Sequence, residues 1–244
     1  MMGLAARQAA FDLRLLLRNG EQILLTLLIP VALLLLLAVA PVVSLDVPDG
    51  SSRIEAALAG VLAVAVLSSA FTSLAIGIGF DRRSGCLLML ATTPLSRTTI
   101  LLARALATLA IVLLQVLLLA LTAAALGWRP DAGAVVALGL VILGALSLGA
   151  LGFALGGAVR AEATLAIANG LFLVLLLVGG TALPTSTLPA PVAAVVQWLP
   201  TAALGDALRT AIAGAMGSVP LDALVLIAWG ALGAVIAART FRWD

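Results

Sequence analysis

Six stretches of this sequence, near residues 22–43, 55–79, 101–126, 134–158, 164–183 and 221–238, are apolar and long enough to cross a bilayer, which takes about 20 residues. A chain built this way has hydrocarbon as the solvent for most of its surface. In that solvent every backbone N–H and C=O must be satisfied within the segment, and the α-helix is the element that does so. The expected fold is therefore an all-α integral membrane protein, with six transmembrane helices in one domain over residues 1–244. Composition agrees: 10% of residues are charged and 64% hydrophobic, against about 25% and 45–50% in a soluble domain. The first stretch reads as a span and not as a cleaved signal peptide, because its apolar run is too long and lacks a small-x-small cleavage site.

Missing residue types exclude several functions. All 13 basic residues are arginine, and the sequence has no Lys, His or Tyr. Without Lys there is no P-loop lysine, so the chain cannot itself be a Walker-type ATPase. Without His, and with Cys86 as the lone cysteine, zinc sites, haem ligation and Ser-His-Asp chemistry lack their parts. No cofactor is expected on this chain and no nucleic acid among its partners. Energy for any transport must come from an ion gradient or from another subunit.

Arginines orient the spans, because cytoplasmic loops retain positive charge. With six spans the two termini share a side, and Arg7, Arg14, Arg18, Arg82, Arg83, Arg97, Arg104, Arg160, Arg239 and Arg242 fall on it. Only Arg53, Arg129 and Arg209 fall on the other. Both termini are therefore expected in the cytoplasm of a cell bounded by an inner (plasma) membrane. Residues 184–220 tempt a seventh span, but Pro184, Pro189, Pro191 and Pro200 break them, and Asp206 and Arg209 sit mid-segment. Each charge at a helix centre would cost roughly 2.5–3.5 kcal/mol. The region is expected to form two short re-entrant outer helices between spans five and six. At the other end of the sequence, residues 1–21 read as an interfacial helix. Arg7, Arg14 and Arg18 share a narrow sector facing lipid phosphates, although Phe11 and Leu15 lie near it. Asn19-Gly20 supplies a stop before the first span.

The cytoplasmic segment 80–100 holds the densest set of local signals. Asp81, Arg82 and Arg83 open it, Gly85 permits a sharp turn, and 86–92 is long enough for about two helical turns. Pro94 stops that helix and Ser96 can cap the next. Such a piece is either an ordinary positive loop or a lever that another protein pushes.

Gly85, with Pro94-Leu95-Ser96-Arg97 nine residues on and an apolar span after it, resembles the segment between spans two and three of type-2 ABC exporter permeases. Leu188-Pro189, Trp198-Leu199-Pro200-Thr201 and Gly205-Asp206-Ala207-Leu208-Arg209 resemble the same family's pattern before its last span. The closing Ala238-Arg239-Thr240-Phe241-Arg242-Trp243 is similar to its drug-resistance and lipid-export branch. One departure is that Leu87 and Leu88 stand where the family commonly has an acid, so that Asp81 is the nearest one.

The resemblance implies that residues 80–100 form a coupling helix docking on a separate ABC ATP-binding subunit, present in two copies and carrying the ATP and Mg. Asp81, Arg82, Arg83, Gly85, Leu87, Leu90, Pro94, Leu95 and Arg97 would be its coupling residues. It also implies pairing with a second permease half, the same chain or a related one, amid membrane lipids. The expected activity is efflux of an amphipathic or apolar compound, a drug or a lipid. Asp206 and Arg209 would seal an outer gate or simply pair with each other. Gln115 and Asn169 either line a path or hydrogen-bond a neighbouring helix. Phe71 and Phe172 either contact substrate or pack. The Gly152–Gly156 motif either pairs chains or packs within one. A haem-export type of ABC subunit shares this architecture. An ion-coupled transporter is disfavoured because the mid-membrane positions carry no carboxylate, and an intramembrane enzyme because it would lack a base.

Overall fold

The structure is a computed structural model that describes residues 2–18, 20–40, 52–91, 96–179 and 189–243. Every regular element among them is helical. They run α1 Met2–Arg18, α2 Gly20–Val39, α3 Arg53–Val66, a π-helical segment Leu67–Ser73, α4 Leu74–Arg83, α5 Cys86–Ala91, α6 Arg97–Ala125, α7 Ala132–Ala158, α8 Ala161–Leu177, α9 Ala190–Val196, α10 Pro200–Ile212 and α11 Val219–Thr240. Among the described residues, four helices are long and apolar enough to cross a membrane: Arg53–Arg83, Thr98–Ala125, Ala132–Ala158 and Val219–Thr240. Two further apolar helices, Thr26–Val39 and Ala161–Leu177, are shorter. All six coincide with the apolar stretches of the sequence.

Local chemistry sets the helix starts. Ser52 and Glu55 form a reciprocal capping box at α3, with Ser52 N donating to Glu55 Oε2 at 2.7 Å. Ser96 Oγ accepts from Thr99 N at 3.2 Å and opens α6. Asp131 Oδ1 accepts from Gly133 N at 2.9 Å and opens α7. Gly85, at φ +73°, makes the turn between α4 and α5 that a side-chain-bearing residue would resist.

Helix ends meet in two groups. At one, α6, α7, α8 and the segment after α11 converge near the end of α4, just before α5. Arg82 reaches carbonyls at the close of α7, Arg83 pairs with Glu162 on the first turn of α8, and Arg242 N donates to Gly157 O. At the other, the end of α2 meets the start of α3, where Arg53 donates to the carbonyls of Leu37 at 2.8 Å and Ala40 at 2.7 Å. Those carbonyls close α2, and a guanidinium there compensates their missing N–H partners.

Helix α7 is the hub, packing on α4, the π segment, α10 and α11. Its glycines explain how. A Cβ at Gly152 would stand 3.0 Å from Phe71 O, one at Gly144 would meet Leu204 at 2.8 Å, and one at Gly156 would clash with the Ala75 carbonyl. From α11, a Cβ at Gly233 would reach Leu151 N at 2.8 Å. The Gly152–Gly156 motif thus packs inside this chain, and small residues let the backbones approach closely.

Helix α10 is nearly enclosed, with Ala202, Leu204, Ala207, Leu208 and Ala211 fully buried. It begins deep in the bundle. Leu204 lies against Gly144, about 18 Å along α7 from its start. The Trp198 carbonyl just before α10 accepts from Trp229 Nε1 at 2.7 Å, about 15 Å into α11. Its last turn then reaches the beginning of α7, where Ala211 O faces Gly133. Pro189 and Pro200 sit at the starts of α9 and α10, where a missing N–H removes no helical bond.

Pro30 sits inside α2. It offers no N–H to the carbonyl four residues back, which belongs to Thr26. That carbonyl accepts instead from Gln115 Nε2 of α6, at 2.9 Å. Ser69 in the π segment donates to the other end of the same amide, Gln115 Oε1, at 3.0 Å. One buried glutamine therefore joins three elements.

Candidate coupling end and transport cleft

The α5 end is a charged lattice. Asp81, on the last turns of α4, accepts from Arg104 Nη2 of α6, and Arg104 Nη1 lies 3.9 Å from Asp12 Oδ2 of α1. Arg82 Nη1 donates to the carbonyls of Gly156 at 3.2 Å and Val159 at 3.0 Å, closing α7. Arg83 Nη1 pairs with Glu162 Oε1 at 2.5 Å on α8. Three consecutive residues of α4 therefore bond to three different helices, and α5 begins after the two residues Ser84 and Gly85.

On α5 itself Leu87 is buried, while Cys86 and Met89 are exposed, Met89 at 73%. Partial desolvation pushes the thiol of this largely exposed Cys86 above its ordinary value; the negative charge of Asp81 adds to this and Arg104 opposes it. Of the other coupling candidates, Pro94 and Leu95 lie outside the described residues, and Leu90 and Arg97 are described by backbone position within α5 and α6.

At the opposite end, Arg209 Nη2 pairs with Asp206 Oδ1 at 2.7 Å, one helical turn apart on α10. The pair is largely enclosed, with side-chain exposures of 9% and 22%. Asp222, on the first turn of α11, is buried as well.

Between the two ends, a cleft of about 320 Å³ opens beside α2, α3 and the π segment. Thr26, Ile29 and Pro30 form one wall, Val61 and Val64 another, and Ser68 and Ser73 of the π segment place hydroxyls along an otherwise apolar surface. Phe172 of α8 lies at its edge. Of the four residues the sequence offered for a path, only Phe172 lines this cleft. Phe71 is buried with its backbone against Gly152, and Gln115 is buried in the bonds to Ser69 and Thr26. Asn169 lies on the exposed face of α8. The hydroxyl-bearing residues of the cleft stand outside that set. Their signal was the run Leu67-Ser68-Ser69-Ala70-Phe71-Thr72-Ser73, four hydroxyls in seven residues of an apolar span.

Long apolar helices bound into one bundle, with charged side chains gathered at the helix ends, define a helical membrane protein. The sequence model describing ABC-2 family transporter proteins matches residues 22–239. The chain belongs to that family, whose members are membrane components of ABC transporters and not themselves catalytic; membership implies an ATP-binding partner. Among individual curated proteins none gives a significant match.

Proposed function

We propose that the chain is the permease subunit of an ATP-driven exporter that moves an amphipathic or apolar compound, a drug or a lipid, out of the cytoplasm. In this reading the six apolar helices all span, with α1 along the cytoplasmic interface and α9–α10 re-entering from the outer side. Both termini are cytoplasmic, and the membrane is the cell's inner (plasma) membrane. Two permease halves pair, and two copies of a separate ATPase dock on residues 80–100. The depth of α10 beside Gly144 and Trp229 supports the re-entrant assignment, since a polar-ended backbone at that level is tolerated only when packed on protein.

One observation carries the proposal. Directly before the exposed connector α5, residues Asp81, Arg82 and Arg83 hold α6, α7 and α8. A force applied at α5 is thereby delivered to several spans at once, as a machine driven from outside the membrane requires. Closure of the ATPases moves the spans only if the inward and outward states bind the partner with different free energy. The cleft with Ser68, Ser73 and Phe172 suits a cargo that is mostly apolar with a small polar part. Asp206 and Arg209 would close its outer side.

The test is purification of the tagged chain from its native membrane. An ATPase subunit is expected to accompany it, and Met89→Asp or Arg97→Glu is expected to weaken that association or the transport it drives. Association and transport surviving both changes would remove residues 80–100 from the coupling role.

A further inference from the structure

We infer that Arg104 is a positioning residue that fastens the N-terminal helix α1 to the coupling segment, so that α1, α4 and α6 move together when the ATPase acts. The inference rests on the coupling role proposed for residues 80–100.

The geometry is specific. Arg104 stands about two turns into α6 and its side chain is 22% exposed. One terminal nitrogen, Nη2, donates to Asp81, one turn before the Gly85 corner; the other, Nη1, faces Asp12 at 3.9 Å. Asp12 is itself buried on the face of α1 that packs along α6. Gln8 Nε2, one turn earlier on α1, donates to Asp12 Oδ1 at 3.0 Å and holds it in place. A planar guanidinium suits this task, because its separate nitrogens address two carboxylates at once.

The charges make the link directional. Asp12 and Asp81 come from helices that would otherwise present two carboxylates to each other across α6. With Arg104 between them, both neighbour the same cation, which is hydrogen-bonded to Asp81 and ion-paired with Asp12 at 3.9 Å. A half-buried pair of this kind loses far more when one partner is removed than it contributes when intact, because the remaining charge is left desolvated. Displacing α4 without α1 and α6 would break the cluster, so the favoured motion carries all three.

The experiment uses the complete transporter, permease with its ATPase, in proteoliposomes. Transport, ATP hydrolysis and ATPase co-purification are measured together. Asp12→Asn keeps the Asp81–Arg104 pair and the coupling surface intact while removing the charge through which α1 joins the cluster. The expected result is normal association and hydrolysis, with transport per ATP reduced roughly 5-fold or more, the low end of common coupling effects. Asp12→Glu, which retains the charge, is expected to recover most of it.

A melting temperature lowered with transport per ATP unchanged would mean that the cluster is only structural, and would overturn the inference. Should Asp12→Asn not accumulate, Arg104→Lys takes its place. The lysine stem is shorter and ends in one nitrogen, so it is expected to keep the bond to Asp81 and lose the 3.9 Å approach to Asp12, lowering transport per ATP while the complex assembles; an undiminished ratio overturns the inference equally. Absence of any ATPase bound to the unmodified chain would instead defeat the coupling role itself.

Discussion

Replacing Gln115 with leucine asks whether the main buried amide of the bundle is a joint or part of the path. Leucine fills nearly the same space without hydrogen-bonding capacity. The change removes two bonds, Ser69 Oγ to Gln115 Oε1 at 3.0 Å and Gln115 Nε2 to Thr26 O at 2.9 Å. Interhelical hydrogen bonds within membranes average about 0.6 kcal/mol and reach about 1.7. The Thr26 carbonyl raises the cost, because Pro30 leaves it no helical donor to fall back on. Leaving such a group unsatisfied costs about 1–3 kcal/mol, so a loss of about 2–3 kcal/mol is expected.

The assay is reversible unfolding in mixed micelles. A double-mutant cycle makes it specific. Pro30→Ala restores an N–H for Thr26 O, and in that background Gln115→Leu is expected to cost about 1 kcal/mol less. Strict additivity would refute the claim that the glutamine compensates the proline. Unchanged stability with an altered apparent affinity for cargo would show instead that Gln115 faces the path.

Gly156→Leu places a side chain against the Ala75 carbonyl; accumulation of folded protein is expected to drop, with a loss of at least about 1–3 kcal/mol, read by detergent thermal stability. Cys86 has its thiol pushed up by partial desolvation and by Asp81. Less thiolate is therefore present at neutral pH, and its maleimide labelling is expected to keep climbing past the pH where a free thiol levels off. Asp81→Asn removes one cause of that shift and is expected to move the profile down in pH. Ser73→Val and Phe172→Ala alter the cleft and no residue of the 80–100 segment, so they are expected to change the concentration dependence of transport while leaving ATPase association intact.

Much of the architecture could be read from residue order. Apolar length located all six helices, and Ser96, Asp131 and Gly85 behaved as their local chemistry dictates. Pro189 and Pro200 marked the two short helices because a proline ring permits a helix start and opposes a helix interior. The site was less legible for a physical reason. In lipid, apolar residues face the solvent as readily as the core, so periodicity does not separate Phe71, which is buried, from Phe172, which borders the cleft. The pairing of Arg104 with Asp81 and Asp12 spans 23 and 92 positions along the chain, and no local pattern announces it. The π segment likewise has no start signal of its own; the backbone simply widens where Ser69 meets Gln115.

Chemical modification of Cys86, the lone cysteine of the sequence and exposed on α5, tests the account most directly. With a membrane-impermeant maleimide, labelling is expected in inside-out vesicles stripped of the ATPase subunit, and strong protection is expected once that subunit is added back. Labelling confined to the outer surface of intact cells, or labelling indifferent to the ATPase, would contradict a cytoplasmic connector covered by a separate motor.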